Sequence, residues 1–167
     1  MKKEMGIVTL TEFGDYQCPH CRMVYPIVKK LQKEFGEKLH FEFRNFPLVD
    51  YHPMALMAAE AAESARAQGK FDEMHDALFD IQPNLGEYTI VTLAKKIGLD
   101  MTTFASDLTN HTFIPAIKKD LTEAMTKNVR GTPTFFIDGR PFEQEWTYAN
   151  LVRAIRGDAP MEREIIY

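Results

Sequence analysis

The first patterned stretch is Ile7-Val8-Thr9-Leu10-Thr11-Glu12-Phe13, which stops at Gly14. Its β-branched and aromatic residues favour a strand. Glu12 breaks an otherwise apolar and threonine run, and an acid is unusual in a buried strand. The period then changes. Val24, Ile27, Val28, Leu31 and Phe35 recur at helical spacing behind Cys18-Pro19, and Gly36 supplies a stop. Proline suits the first helical position, where its missing N–H has no partner. Pro26 falls inside the same helix and is expected to kink it. From Leu39 to Phe46 the period returns to two. His40, Glu42 and Arg44 alternate with Phe41, Phe43 and Asn45, and Pro47 ends the run. Strand, helix, strand is a βαβ unit with a parallel pair.

The next stretch is helical throughout. Pro53 to Gln68 is alanine-rich and ends at Gly69. Phe71, Met74, Leu78 and Phe79 form one apolar stripe. Ile90, Val91, Leu93, Ala94 and Ile97 form another, stopped by Gly98. Asp100 can cap a short helix carrying Phe104 and Leu108. Ile114, Ile117, Leu121 and Met125 make a last stripe, with Asn128 at a left-handed stop. Thr134 to Ile137 then reads as a strand, Asp138-Gly139 as a hairpin turn, and Arg140 to about Gln144 as the antiparallel partner. Tyr148, Leu151, Val152 and Ile155 mark a closing helix, stopped at Gly157. The tail after Pro160 carries no pattern. The helical stretch is too long for a loop and has strands on both sides, so it is expected to be an insertion. The reading is one domain over 1–167, with 51–128 as the insertion.

Length and composition narrow the classes. The 167 residues fit one domain with a sizeable core. Hydrophobic residues are 45% and charged residues 26%, which excludes a disordered or fibrous chain. The net charge of −4 argues against a general grip on nucleic acid. No run approaches the ~20 apolar residues of a membrane span. The start, Met1-Lys2-Lys3-Glu4-Met5-Gly6, has two lysines and no apolar stretch behind them, so no signal peptide is expected as written. The compartment stays open: cytoplasmic as it stands, extracytoplasmic if a leader was removed.

Cysteine usage carries the most information. Cys18 and Cys21 are the only two in the chain. Two cysteines make no disulfide framework, and two thiolates cannot complete a tetrahedral zinc site. The pair must therefore be explained as a pair, and neither a metal nor a cofactor is expected. Cys18 falls at a helix N-terminus, where free N–H groups and the helix dipole stabilise an anion. Its thiol is expected to ionise well below the ordinary value of about 8.5. Cys21, one turn on, lies on the same face and can close a disulfide. Pro19 stiffens the turn, and His20 brings a donor or a cation to the Cys18 sulfur. Both effects favour the dithiol and make the disulfide oxidising.

A C-x-x-C pair entering a helix inside βαβ is a thioredoxin-like signature, and Cys18-Pro19-His20-Cys21 resembles the DsbA family of thiol–disulfide oxidoreductases. Phe43-Arg44-Asn45-Phe46-Pro47-Leu48, His52-Pro53 with the alanine-rich helix, Gln68-Gly69-Lys70-Phe71, Glu73-Met74-His75-Asp76 and Leu78-Phe79 are similar to its bacterial BdbD-like branch. Gly131-Thr132-Pro133-Thr134-Phe135-Phe136-Ile137-Asp138-Gly139 is similar to the family's cis-proline loop and following strand. The resemblance spans about residues 6–157. It implies an α/β thioredoxin-like fold with an all-helical insertion between the βαβ half and a C-terminal ββα half. It implies Cys18 as exposed nucleophile, Cys21 as buried resolving thiol and Pro133 as the cis-proline. Thr132 would pair with an extended substrate peptide. Glu12 would be a buried acid relaying a proton to or from Cys21. Pro26 fits the kink of the family's active-site helix.

The implied substrates are cysteine-containing proteins or peptides. A redox partner would recycle the enzyme: a membrane reoxidant if exported, a reductase or glutathione if cytosolic. Two alternatives stand beside a disulfide donor. One is a cytosolic reductase or isomerase, consistent with a reducing compartment. The other is a redox-gated peptide-binding module without turnover. Plainer readings are expected elsewhere. His52 shapes a helix start, His75 between Glu73 and Asp76 lies on a solvated helix face, the methionines fill core and Trp146 packs.

Overall fold

The computed structural model describes residues 5–158. Met1 to Glu4 and the tail after Pro160 lie outside the described residues. Four strands form one sheet in the order β2-β1-β3-β4. β1 (Val8–Gly14) is central, parallel to β2 (Leu39–Asn45) and antiparallel to β3 (Thr134–Ile137). β4 (Arg140–Phe142) pairs antiparallel with β3. It is shorter than its pattern suggests. Pro141 has no N–H to give to a ladder, which suits a brief edge strand.

Alternation along β1 puts Val8, Leu10 and Glu12 on one face. Val8 and Leu10 pack there with Val24, Val28 and Leu31 of α1 (Pro19–Phe35) and with Leu151 and Ile155 of α7 (Tyr148–Arg156). Phe13 and Phe136 point to the other face, against Ala124 and Val129. Pro26 lies inside α1. The turn after β3 follows the expected chemistry. Asp138 and Gly139 both have positive φ, 48° and 77°, as a tight hairpin matching the strand twist requires. The Asp138 carboxylate also accepts the Thr9 N–H at 2.8 Å, pinning the hairpin to β1.

Five helices lie between β2 and β3: α2 (Ala55–Ala67), α3 (Phe71–Asp80), α4 (Glu87–Lys96), α5 (Met101–Thr109) and α6 (Ile114–Thr126). Asp100 caps α5 by accepting the Thr103 N–H, and Asn128 takes the left-handed conformation after α6. α2 is buried on most of its surface. Its alanines let the neighbouring helices approach closely, and each buried polar group on it has a partner. Glu60 accepts from His111 Nδ1 at 2.8 Å, Glu63 from Asn45 Nδ2 at 2.9 Å, and Ser64 donates to Asp107 at 2.7 Å. Ala58, Ala61 and Ala65 belong to the packed cluster that holds Tyr16, Cys18, Cys21 and Phe43. The cysteine pair therefore sits where the sheet meets the helical block.

Gly14 belongs to β1 and does not merely end it. A Cβ there would collide with the Phe43 ring from the neighbouring strand, so glycine makes room for that ring. Gly14→Ala is expected to cost about 1–3 kcal/mol by overpacking, a fall of several degrees in melting temperature. Phe43→Leu in the same chain should recover part of the loss in thermal denaturation followed by circular dichroism.

Candidate active site

Cys18 is the residue preceding α1. Its backbone is extended (φ −72°, ψ 122°), and Pro19 occupies the first helical turn. That geometry leaves the first N–H groups of the helix without intrahelical partners. The N–H groups of His20 and Cys21 and the Cys21 thiol all favour an anion on the Cys18 sulfur. On the other side the Cys18 thiol meets the Thr132 carbonyl at 3.6 Å. The Thr132–Pro133 peptide is cis. The Thr132 hydroxyl is buried, bonds to no oxygen or nitrogen, and favours an anion on the Cys18 sulfur. Both cysteines are free thiols.

These contacts separate the two thiols. Cys18 is brought down to about 5, chiefly by the hydrogen bond from Cys21. Burial works the other way, and the Thr132 hydroxyl and the two backbone N–H groups add to the lowering. Cys21 is pushed well above the ordinary thiol range. Burial is the main cause, followed by the hydrogen bond that it spends on Cys18 and by the Glu12 carboxylate. Cys18 is more enclosed than the exposed nucleophile implied by the family resemblance. It is 4% exposed and Cys21 fully buried, because the Thr132 loop closes over the helix end.

Glu12 is 1% exposed, and its Oε1 has no hydrogen-bond partner. In the sheet it stands between Phe43 and Phe135. Its carboxyl is raised to about 8, first by burial and then by the charge on Cys18. Of the residues expected from the sequence, Glu12, Cys18, Cys21 and Thr132 thus converge on one site. Pro19 starts the helix, Pro133 follows Thr132 across the cis bond, and His20 contributes its backbone N–H. The His20 ring lies 6.0 Å from that of Trp146. Trp146 does more than pack. With Met23, Pro133 and Phe142 it lines an open cleft of about 640 Å³ beside the proline loop.

Some residues of the site were not anticipated. The buried Asp15 carboxylate accepts the N–H groups of Gln17 and Leu48 at 2.7 and 2.9 Å, and Nδ1 of His52 at 2.7 Å. Gln17 in turn accepts the Met54 N–H at 2.8 Å. The loop before Cys18 is therefore stitched to the segment after β2. His75 corrects the expectation of a solvated helix face. It is 5% exposed, bonded to the Tyr16 hydroxyl at 2.9 Å and ringed by Phe43, Phe71 and Phe79. Burial brings its imidazole down to about 4, so it is neutral at ordinary pH. The signal was available: Phe71, His75 and Phe79 are spaced by four and share one side of α3. The flanking acids Glu73 and Asp76 lie on other faces.

The family profile described as Thioredoxin matches residues 3–157, and the chain belongs to this family. Its fold is that of the DsbA-like thiol–disulfide oxidoreductases. The structure resembles oxidised BdbD from Bacillus subtilis with a TM-score of 0.81 at 27% identity, covering 94% of this chain and 90% of that one. The alpha-DsbA2 thiol-disulfide exchange protein of Wolbachia pipientis shares the fold, with a TM-score of 0.80 at 22% identity over 93% and 83% of the two chains. A curated relative, Na(+)/H(+) antiporter NhaA 1 of Salinispora arenicola, is 37% identical over 148 residues. That match takes in 89% of this chain but 22% of the antiporter, so this chain spans less than a quarter of that relative's length. Among the described residues no helix is long and apolar enough to cross a membrane.

The acidity of Glu12 gives a stability prediction. Its carboxyl binds a proton up to about pH 8 when folded, against about 4.5 when unfolded. The folded state therefore holds the extra proton in that window. Its contribution is complete below about pH 4.5 and is lost as pH rises through about 8. Glu12→Gln removes this loss. The reduced variant should exceed reduced wild type in unfolding free energy by at least about 1 kcal/mol more at pH 8 than at pH 4, read by urea denaturation.

Proposed function

We propose that this protein is a dithiol–disulfide oxidoreductase that donates the Cys18–Cys21 disulfide to cysteine-containing protein substrates. The observation that carries the reading is the different placing of the two thiols. Cys18 stands at the N-terminal end of α1 against the cis-proline loop, where its pKa is lowered to about 5. Cys21 is fully buried and its pKa is raised. A dithiol whose nucleophilic sulfur is stabilised as an anion is favoured over its disulfide, so the disulfide is a strong oxidant.

In the oxidising direction, a substrate thiolate attacks the Cys18 sulfur. The Cys18–Cys21 bond breaks, a mixed disulfide forms, and Cys21 leaves as a thiolate. Glu12, uncharged at neutral pH and close enough to interact with both sulfurs, gives its proton to Cys21. A second substrate thiolate then attacks the substrate sulfur of the mixed disulfide. Cys18 leaves as a thiolate, and the substrate carries away the new disulfide. The easy departure of Cys18 follows from its low pKa, since the more acidic thiol is the better leaving group. The Thr132–Pro133 loop beside Cys18 gives an extended peptide a backbone edge to pair with. The cleft under Trp146 would receive its apolar side chains.

The deciding experiment is the reduction potential of the pair, measured by equilibration in glutathione buffers. A value less negative than roughly −180 mV is expected, and a value near roughly −270 mV would move the protein to the reductants. Independently, alkylation of Cys18 by iodoacetamide should reach half its plateau rate near pH 5. His20→Leu keeps the backbone N–H that acts on the sulfur and removes only the ring, which lies against Trp146. The midpoint should therefore stay near that of wild type. An upward shift in the ultraviolet thiolate titration would give the imidazole a share in stabilising the anion.

A further inference from the structure

The helical block reaches the site through one side chain not used above. Gln82 opens a short 3-10 turn (Gln82–Asn84) after α3 and is 8% exposed. Its Nε2 donates to the Tyr16 carbonyl at 2.9 Å and to the Cys18 carbonyl at 2.7 Å. A primary amide has two N–H groups, so one side chain serves both carbonyls. Those carbonyls bracket Gln17, in the loop that delivers Cys18 to the helix. The Cys18 carbonyl also accepts the Arg22 N–H at 3.2 Å, and the Cys18 N–H donates to the Asp15 carbonyl at 3.1 Å.

We propose that Gln82 is a positioning residue for Cys18: its buried amide grips the two carbonyls and fixes the angle at which the sulfur meets the end of α1. The inference rests on reading Cys18 as the nucleophile. The argument is geometric. The N–H groups of His20 and Cys21 help the sulfur only while they point at it, and hydrogen bonds weaken steeply with misalignment. The backbone of Cys18 is the lever between those amides and the sulfur. Without the Gln82 amide, two buried carbonyls lose a donor and turn toward other donors or water. The Cys18 backbone turns with them, and the sulfur leaves the line of the helix N–H groups. The arm that sets thiol reactivity thus comes from the helical block, outside the βαβ unit that carries the C-x-x-C pair.

Gln82→Met tests this, since it keeps length and approximate volume and removes both donors. The Cys18 thiolate titration, followed at 240 nm, should rise by about one unit, a tenfold change in the thiolate ratio at fixed pH. The equilibrium constant with glutathione should shift toward the disulfide. Lys70→Met is the control. It removes a bond from Lys70 Nζ to the Ile97 carbonyl within the same helical block and touches nothing near Cys18. It should lower the melting temperature and leave the titration in place. If Gln82→Met does not fold, Gln82→Asn replaces it; its amide is one methylene too short, and the same upward shift is expected. A low wild-type midpoint that is unchanged in the Gln82 variants overturns the positioning role alone. An ordinary wild-type thiol titration overturns the reading of Cys18 and this inference with it.

Discussion

A sulfur anion that is almost wholly enclosed is the constraint on which the structure turns. Removing a charge from water is costly unless hydrogen bonds replace the solvent. Cys18 is 4% exposed, and burial alone would raise its pKa. The opposing contacts prevail because several act on one atom: the Cys21 thiol, the Thr132 hydroxyl and the N–H groups of His20 and Cys21. These donors come from two distant parts of the chain. The fold must bring the end of α1 and the loop before β3 to one point.

The sheet makes that meeting possible. β1 delivers the chain to the start of α1, and β3 lies directly beside β1, so the loop before β3 opens at the same edge. The parallel β1–β2 pair lays α1 across the sheet, above the face that carries Glu12. The helical block then closes the far side, with its alanines packed into the cluster that contains both cysteines. Asp15, Gln17 and Gln82 fasten the connecting loop at several points along its short length.

Much of this was legible because it rests on local chemistry. Pro19 at a helix start, Asp138-Gly139 at a hairpin, Asn128 at a left-handed stop and the two changes of hydrophobic period are short-range signals. The cysteine pair pointed to its site for the same reason, whereas the Gly131-Thr132-Pro133 loop was legible only through the family resemblance. What escaped depends on contacts between distant segments. Gly14 reads as a strand end until the Phe43 ring from the next strand is seen above it. His75 reads as solvated until α3 is turned with its Phe71–Phe79 side inward. Asp15 and Gln82 are ordinary polar residues in sequence. Their roles come from backbone groups 33 and 64 residues away.

The coupling of Glu12 to Cys18 bears on how protons move with electrons. The thiolate on Cys18 exists only in the reduced protein, so its push on Glu12 is present in one redox state and absent in the other. It is the second cause of the raised carboxyl, and burial, the first, is the same in both states. Burial alone therefore keeps Glu12 biased toward the neutral acid in the disulfide form, ready with a proton before the substrate attacks. The thiolate that appears on turnover then strengthens that bias and discourages a second charge beside the first. Having given its proton to Cys21, Glu12 takes another from solvent once Cys18 leaves as a thiolate. Of these two groups the finished dithiol thus keeps one charged, the sulfur nearest the helix end, where the donors to support it are already in place.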